Sequence, residues 1–143
     1  MAGKPSLNHA LLLGALLAAF MGRVTAQLIQ AGRPVNGLPP FDAWQSGALP
    51  YPVLVASQLA IIAVAVWVIR GVATGRMRRS AKLGRVLLLF GAIYFVGMAA
   101  RLALGLTLLR HVGWFTAVLP AVFHLVLASF VLTWADYHRR SAA

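Results

Sequence analysis

The sequence predicts an all-α integral membrane protein, folded as an up-down-up-down four-helix bundle in a single domain over residues 1–143. Three observations support this prediction. Hydrophobic residues make up 61% of the chain. Charged residues make up only 10%, whereas a soluble domain carries about 25%. Four apolar runs reach the length of about 20 residues with which a helix crosses a bilayer, at about residues 8–30, 51–69, 86–109 and 112–134.

The first run begins after Lys4 and is almost wholly apolar over residues 10–20. Residues 24–26 resemble the small-residue cleavage site of a secretory signal peptide. Arg23 stands directly before that site and is unfavourable to cleavage. An uncleaved first span is therefore the favoured interpretation, and a signal peptide is the alternative.

The connection at residues 31–50 contains four of the seven prolines. Its mixture of proline and glycine with Phe41, Trp44 and Leu49 predicts a loop or short helix that lies on the outward-facing surface of the membrane. Residues 41–46 are long enough for one amphipathic turn. A plain connector with interfacial aromatic residues is the more favoured of the two interpretations.

Aromatic residues mark the ends of the later runs. Tyr51 and Trp67 flank the second run, and Trp114 and Trp134 flank the fourth. Tryptophan and tyrosine are enriched at membrane–water interfaces. Their positions therefore support the proposed limits of these two spans.

Small residues at four-residue spacing predict close packing between helices. Gly14, Ala18 and Gly22 follow this spacing on the first span. On the third span, Gly97 and Gly105 flank Arg101 at the same spacing.

The distribution of basic residues predicts the orientation. The connection at residues 70–85 carries six lysines and arginines, whereas the other two connections carry one each, Arg33 and Arg110. The positive-inside rule therefore places both termini and this connection in the cytoplasm, in a bacterial inner membrane. The net charge of +11 is explained by topology rather than by nucleic-acid binding, although residues 71–85 could also contact anionic lipid headgroups.

Two arginines interrupt apolar runs without an acid nearby. Arg23 lies in the first run and Arg101 in the third, while the two carboxylates of the chain, Asp42 and Asp136, lie outside the spans. An arginine at the centre of a membrane helix costs about 2.5–3.5 kcal/mol on insertion scales. Two such residues at one depth repel each other unless something negative lies between them.

Other polar residues fall at similar depths on all four spans. Counting about 1.5 Å per helical residue places them in the middle and outer half of the bilayer. On the first span, Arg23, Gln27 and Gln30 follow i, i+4, i+7 spacing, which predicts a polar stripe that faces the bundle interior. Together the polar residues predict an outward-facing binding pocket inside the bundle, formed by Arg23, Gln27, Gln58, Tyr94, Arg101 and His124. A purely structural role is the alternative for each. The arginines could snorkel outward, bond backbone carbonyls or pair with Asp42, and the glutamines and histidine could tie helices together.

Several chemistries are disfavoured by composition. The chain has no cysteine, which excludes disulfides and thiolate metal sites. No pair of histidines lies at matching central depth, which disfavours a bis-histidine haem. Paired carboxylates, a histidine–carboxylate metal cluster and a recognisable serine nucleophile are also missing from the spans. We therefore expect no metal, no cofactor and no catalytic residue.

Three stretches together, residues 38–58, 91–101 and 122–127, resemble small uncharacterised four-span bacterial inner-membrane proteins. The resemblance covers most of the chain and implies no activity. It draws attention to Gln58, Arg101 and His124.

These observations favour a non-catalytic binding protein or accessory subunit. It would hold an anionic or carbonyl-bearing lipophile, such as a fatty acid, phospholipid headgroup or quinone, or else a partner helix. A small oligomeric anion transporter or channel is the first alternative, and a lipid- or quinone-modifying enzyme is the second. The expected partners are membrane lipid and a protein partner or second copy of the chain, and not nucleic acid.

Overall fold

The structure, a computed structural model, describes residues 6–140. The described chain is helical, and its four long helices pack as a bundle, which confirms the predicted fold class. All four are long and apolar enough to cross a membrane. Lys4, which entered the prediction of orientation, lies outside the described residues. The helices are α1 (Leu7–Gly32), a 3-10 turn (Phe41–Trp44), α2 (Tyr51–Ala73), α3 (Ala81–Leu106), the single turn α4 (Gly113–Thr116) and α5 (Val118–Arg139).

The two ends of the bundle differ in what they contain. Residue 6, residue 140 and the connection between α2 and α3 meet at one end, which we call the terminal end. The connection at residues 33–50 and α4 lie at the opposite end, which we call the loop end.

The most extensive helix pairing joins α3 and α5, and α5 also packs on α1, which in turn packs on α2. Among the four long helices of the described residues 6–140, α1 alone carries a continuous buried stripe from one end to the other. Towards the terminal end its apolar residues join those of α2 and α5 in one core cluster that includes Leu13, Val68, Val72 and Tyr137. Many apolar side chains on the outer faces of the bundle are exposed, as lipid-facing residues are in a membrane protein.

The predicted limits of the fourth span are wrong at its start. The helix begins at Val118 rather than near residue 112, so Trp114 precedes it in α4. Pro120 occupies the first turn of α5, where the missing N–H of proline is tolerated. α3 ends at Leu106 rather than at residue 109. Residues 107–117 therefore connect α3 to α5 and contain the single turn α4, whereas most of them were predicted to belong to the third and fourth spans.

The small-residue prediction for α1 is also wrong. A Cβ atom added at Gly14 or Gly22 would meet nothing within 4 Å, and the same holds for Gly97 on α3. The close approach lies elsewhere: a Cβ at Gly84 would lie 2.9 Å from the Arg139 side chain, and one at Gly91 would lie 2.9 Å from Leu132. Spacing alone predicted neither position, because the facing helix determines which glycine is needed.

Gly105 is the member of the predicted set that does permit a close approach. A Cβ atom there would collide with the main-chain carbonyl of Phe115. This contact brings the connection after α3 back over the helix, one turn from Arg101.

Polar side chains join the elements at the terminal end. His9 Nε2 on α1 lies 3.0 Å from Asp136 Oδ2 on α5, and Arg140 donates to the same carboxylate at 2.6 Å. The Tyr137 hydroxyl donates to the Met77 carbonyl, and the Ser80 N–H donates to His138 Nδ1. These bonds tie α1, α5 and the connection between α2 and α3 together.

Candidate functional site

A cavity of about 300 Å³ lies at the loop end, which we call the polar cavity. All four long helices contribute to its wall, together with residues 45–49 of the loop. Four of the predicted site residues line it: Arg23, Gln58, Arg101 and His124. Gln27 and Tyr94, the other two, do not line this cavity but contact residues that do, as described below.

Arg23 on α1 is held by the loop that follows that helix. Its Nη2 atom donates a short hydrogen bond to the Trp44 carbonyl, and its guanidinium carbon lies 5.9 Å from the centre of the Phe123 ring. Arg23 is 7% exposed, so its head group does not snorkel to the bundle surface. Asp42, the predicted alternative partner, is exposed and does not pair with Arg23, which bonds the Trp44 carbonyl instead.

Arg101 on α3 has a similar arrangement with different partners. Its Nη2 atom donates to the Trp114 carbonyl at 2.7 Å, and its guanidinium carbon lies 3.9 Å from the centre of the Trp114 ring. The Met98 sulfur lies 4.0 Å from Nη1. Because Gly105 lets residues 113–116 approach α3, this connection reaches the arginine with both a carbonyl and an aromatic face.

Neither guanidinium is fully satisfied by these contacts. A guanidinium carries five N–H donors. Within residues 6–140, the Nε atoms of Arg23 and Arg101 are buried without a hydrogen-bond partner, and no carboxylate pairs with either residue. Carbonyl dipoles reduce the cost of burial, but they leave the two positive charges uncompensated.

Two buried amides support the wall of the polar cavity. Gln58 on α2 donates from Nε2 to Gln27 Oε1 on α1 at 3.1 Å. Both side chains are almost fully buried, at 3% and 1% exposure. Gln58 lines the cavity, and Gln27, which does not, holds the Gln58 side chain in place through this bond.

The next glutamine on the same face of α1 organises the loop. Gln30 accepts from the Val35 N–H and donates to the carbonyls of Leu38 and Pro39. Together with Arg23 and Gln27 it forms the buried polar stripe that the sequence spacing predicted to face the bundle interior.

Tyr94 and His124 form a second polar pair, in which the Tyr94 hydroxyl shares a hydrogen bond with His124 Nδ1. His124 lines the polar cavity, while Tyr94 lines a second cavity of about 370 Å³ that we call the apolar cavity. Phe20, Ile61 and Leu127 line both cavities, which places the two side by side. Apart from Tyr94 and the Trp134 indole, the wall of the apolar cavity consists of aliphatic residues and phenylalanine.

Backbone carbonyls are one of the predicted alternative partners of the arginines, and the structure shows such bonds. Sequence reasoning did not identify the carbonyls as those of Trp44 and Trp114, and it missed the cavity wall at residues 45–49. Every residue has a carbonyl, so a carbonyl partner leaves no sequence signature. The sequence carries an indirect signal for these partners: each of the two connections that contact an arginine contains a tryptophan.

Sequence reasoning also missed a polar chain at the terminal end. Ser6 Oγ lies 2.6 Å from His9 Nδ1, and His9 Nε2 contacts Asp136. Nucleophilic triads use the same order of residue types, but with the serine at Nε2 of the histidine. Here Ser6 is the N-cap residue of α1 and His9 lies three residues later, and the two side chains bond each other instead of capping the helix backbone. We interpret this series of side-chain contacts as a structural link between α1 and α5.

The fold and its four apolar helices define a polytopic α-helical membrane protein, whose outer faces contact lipid. Comparisons of the chain with protein-family models, curated proteins and solved structures find no significant match.

Proposed function

We propose that this protein is a non-catalytic binding protein that holds an anionic or carbonyl-bearing lipophile in the polar cavity. The observation that carries the proposal is the pair of buried, uncompensated guanidinium groups of Arg23 and Arg101 in the wall of one cavity. Two like charges in such a site repel each other until an anion lies between them.

The energetics of the unpaired groups support ligand binding over a purely structural role. A buried donor without a partner costs about 1–3 kcal/mol, and more when it is charged. A carboxylate or phosphate oxygen in the cavity would balance the two guanidinium charges through charge-assisted hydrogen bonds to their terminal N–H groups, since the Nε atoms themselves are buried. His124 and Gln58 line the same wall and supply further polar atoms.

The interior of the terminal half favours binding over transport. Leu13, Val68 and Val72, each 0% exposed, fill the core between the apolar cavity and the terminal end. Within the described chain, these residues block a polar path through the bundle. An anion transporter or channel would need such a path.

We also propose a bacterial inner-membrane location with the terminal end in the cytoplasm. The terminal end carries most of the basic residues, including Arg76, Arg78 and Arg140, whereas Arg33 and Arg110 are the basic residues of the loop-end connections. The positive-inside rule supports this orientation. A place among small four-span inner-membrane proteins is part of the same proposal.

The binding proposal is tested by native mass spectrometry of the purified protein with palmitate as the probe. Arg101→Leu and Arg23→Leu should each weaken palmitate binding about 10–100-fold, since a hydrogen bond to a charged group contributes about 1.5–3 kcal/mol. Arg110→Leu and Arg33→Leu are matched controls, because both arginines lie at the same end but are exposed. They should bind palmitate as the wild type does.

Equal palmitate binding by the wild type and by both buried-arginine variants would overturn the proposal. A stable co-purifying protein in place of lipid would instead favour the accessory-subunit form, in which acids of the partner meet the two arginines.

A further inference from the structure

We infer that the ligand is a single-chain lipid anion that binds with its head group in the polar cavity and its acyl chain in the apolar cavity, pointing towards the terminal end. This inference rests on the proposed function and specifies the class and orientation of its ligand. The head group is a carboxylate or a phosphate ester, since both present anionic oxygens to the two guanidiniums.

The apolar cavity lies deeper in the bundle than the polar cavity on each of the three helices that supply most of its wall. On α1 it is lined by residues 16–20, on α2 by residues 60–65 and on α5 by residues 126–134. Apart from the shared Phe20, Ile61 and Leu127, each set lies nearer the terminal end than the polar-cavity residues of the same helix. From His124 to Trp134 the helix rises about 15 Å. A chain that starts at the guanidiniums can therefore extend along the bundle axis.

The size of the apolar cavity fits one chain. Its volume of about 370 Å³ is more than twice that of the roughly 150 Å³ apolar cavity known to bind one benzene molecule, which leaves room for on the order of a dozen carbon atoms. The two chains of a diacyl phospholipid would need much more space. The volume therefore holds one chain, and since the wall opens to the bundle surface at Ala60 and Val64, any second chain would lie outside the cavity.

The polarity of the two walls matches that of an amphiphile. Arg23 and Arg101 lie in the polar cavity only, whereas the apolar wall contains residues such as Leu16, Val64 and Phe130. The Tyr94–His124 pair lies where the two meet. A quinone would place its ring at the same arginines, but it carries no charge to balance them.

The orientation is tested with two palmitate probes, one brominated near the carboxylate and one near the chain terminus. Bromine quenches tryptophan fluorescence only at short range. Trp114 lines the polar cavity and Trp134 lines the apolar cavity. We expect the chain-terminal probe to quench Trp134, in a saturable way that unlabelled palmitate reverses. Subtracting the signal of Trp134→Phe identifies its contribution.

Occupancy of the apolar cavity is tested by filling it. Ala60 lines the apolar cavity and Ala63 does not, and both are exposed alanines of α2. Ala60→Phe should weaken palmitate binding at least tenfold, whereas Ala63→Phe should leave it unchanged. Val64→Phe provides a second filling variant, and circular dichroism together with gel filtration checks that each variant folds.

The outcomes separate the inference from the proposed function. If Ala60→Phe and Val64→Phe bind palmitate like the wild type while Arg101→Leu does not, the chain lies elsewhere: the inference fails and the proposed function stands. If Arg101→Leu and Arg23→Leu also bind normally, the proposed function fails. Diacyl phosphatidate that displaces bound palmitate as effectively as lysophosphatidate does would overturn the single-chain assignment. The ratio of lysophosphatidate to palmitate affinity distinguishes the two head groups.

Discussion

The two ends of the bundle differ in how fully their buried polar groups are paired. At the terminal end, His9 contacts a carboxylate and the Tyr137 hydroxyl has a carbonyl acceptor. At the loop end, Arg23 and Arg101 each bond one carbonyl and keep a buried Nε atom without a partner. The contrast is not complete, because His138 Nε2 at the terminal end is also buried without a described partner.

This difference indicates a division of roles within one small bundle. A polar network with its charges balanced holds helices in place, whereas a buried charge without a counterion destabilises the protein until something binds to it. The helix contacts follow the same division. Gly84 and Gly91 bring α3 against α5 towards the terminal end, while at the loop end the helices enclose a cavity.

The largest effect in this comparison is expected at Tyr137. This side chain is 0% exposed, and the guanidinium carbon of Arg79 lies 4.5 Å from the centre of its ring. Tyr137→Ala should lower the free energy of unfolding by about 3–5 kcal/mol, through the cavity and the lost contacts. The measurement is SDS-induced unfolding in mixed micelles. Trp67→Ala, at a residue that is 64% exposed, should change it by less than about 0.5 kcal/mol.

A smaller loss is expected at His9, since the side chain joins α1 to α5 by hydrogen bonds. His9→Ala removes the contact with Asp136 and should lower the free energy of unfolding by about 1.5–3 kcal/mol. Asn8→Ala, at the exposed neighbouring residue, is the matched control in the same unfolding assay. No difference between the two variants would mean that the terminal end is held by packing alone.

The smallest change is expected at Arg101, and it should have the opposite sign. In lipid-free detergent, Arg101→Leu removes an uncompensated buried charge and should raise the free energy of unfolding by about 1 kcal/mol. Added palmitate should then stabilise the wild type but not the variant. A loss of stability comparable to that of His9→Ala, with no ligand present, would show that both ends are structural and would remove the contrast.

Much of the architecture could be predicted from local sequence. The length and hydropathy of the runs predicted four helices, because a membrane span must be apolar and satisfy its own backbone. The spacing of Arg23, Gln27 and Gln30 predicted a stripe that faces inward, since lipid does not tolerate these groups. The start of α5 was predicted wrongly because residues 112–117 are apolar enough to continue the span and yet form a separate turn.

The candidate site was predictable only as a set of residues at similar depth. The six residues Arg23, Gln27, Gln58, Tyr94, Arg101 and His124 do lie within one connected group of contacts and cavity walls. Their role in binding remains a prediction. Nothing in the sequence distinguished Gln58 at the cavity wall from Gln27 behind it, because both are amides at comparable depth.

The sequence by itself determined the number of helices, their apolar character and the positions of the polar residues along them, since these depend on chain length, helix rise and the solvent. The tertiary structure alone decided that α3 pairs with α5 through Gly84 and Gly91, that two main-chain carbonyls reach the arginines, and that an apolar cavity adjoins the polar one. The physical reason is that contacts between helices depend on which faces meet, and that choice is made by the packing of the whole bundle.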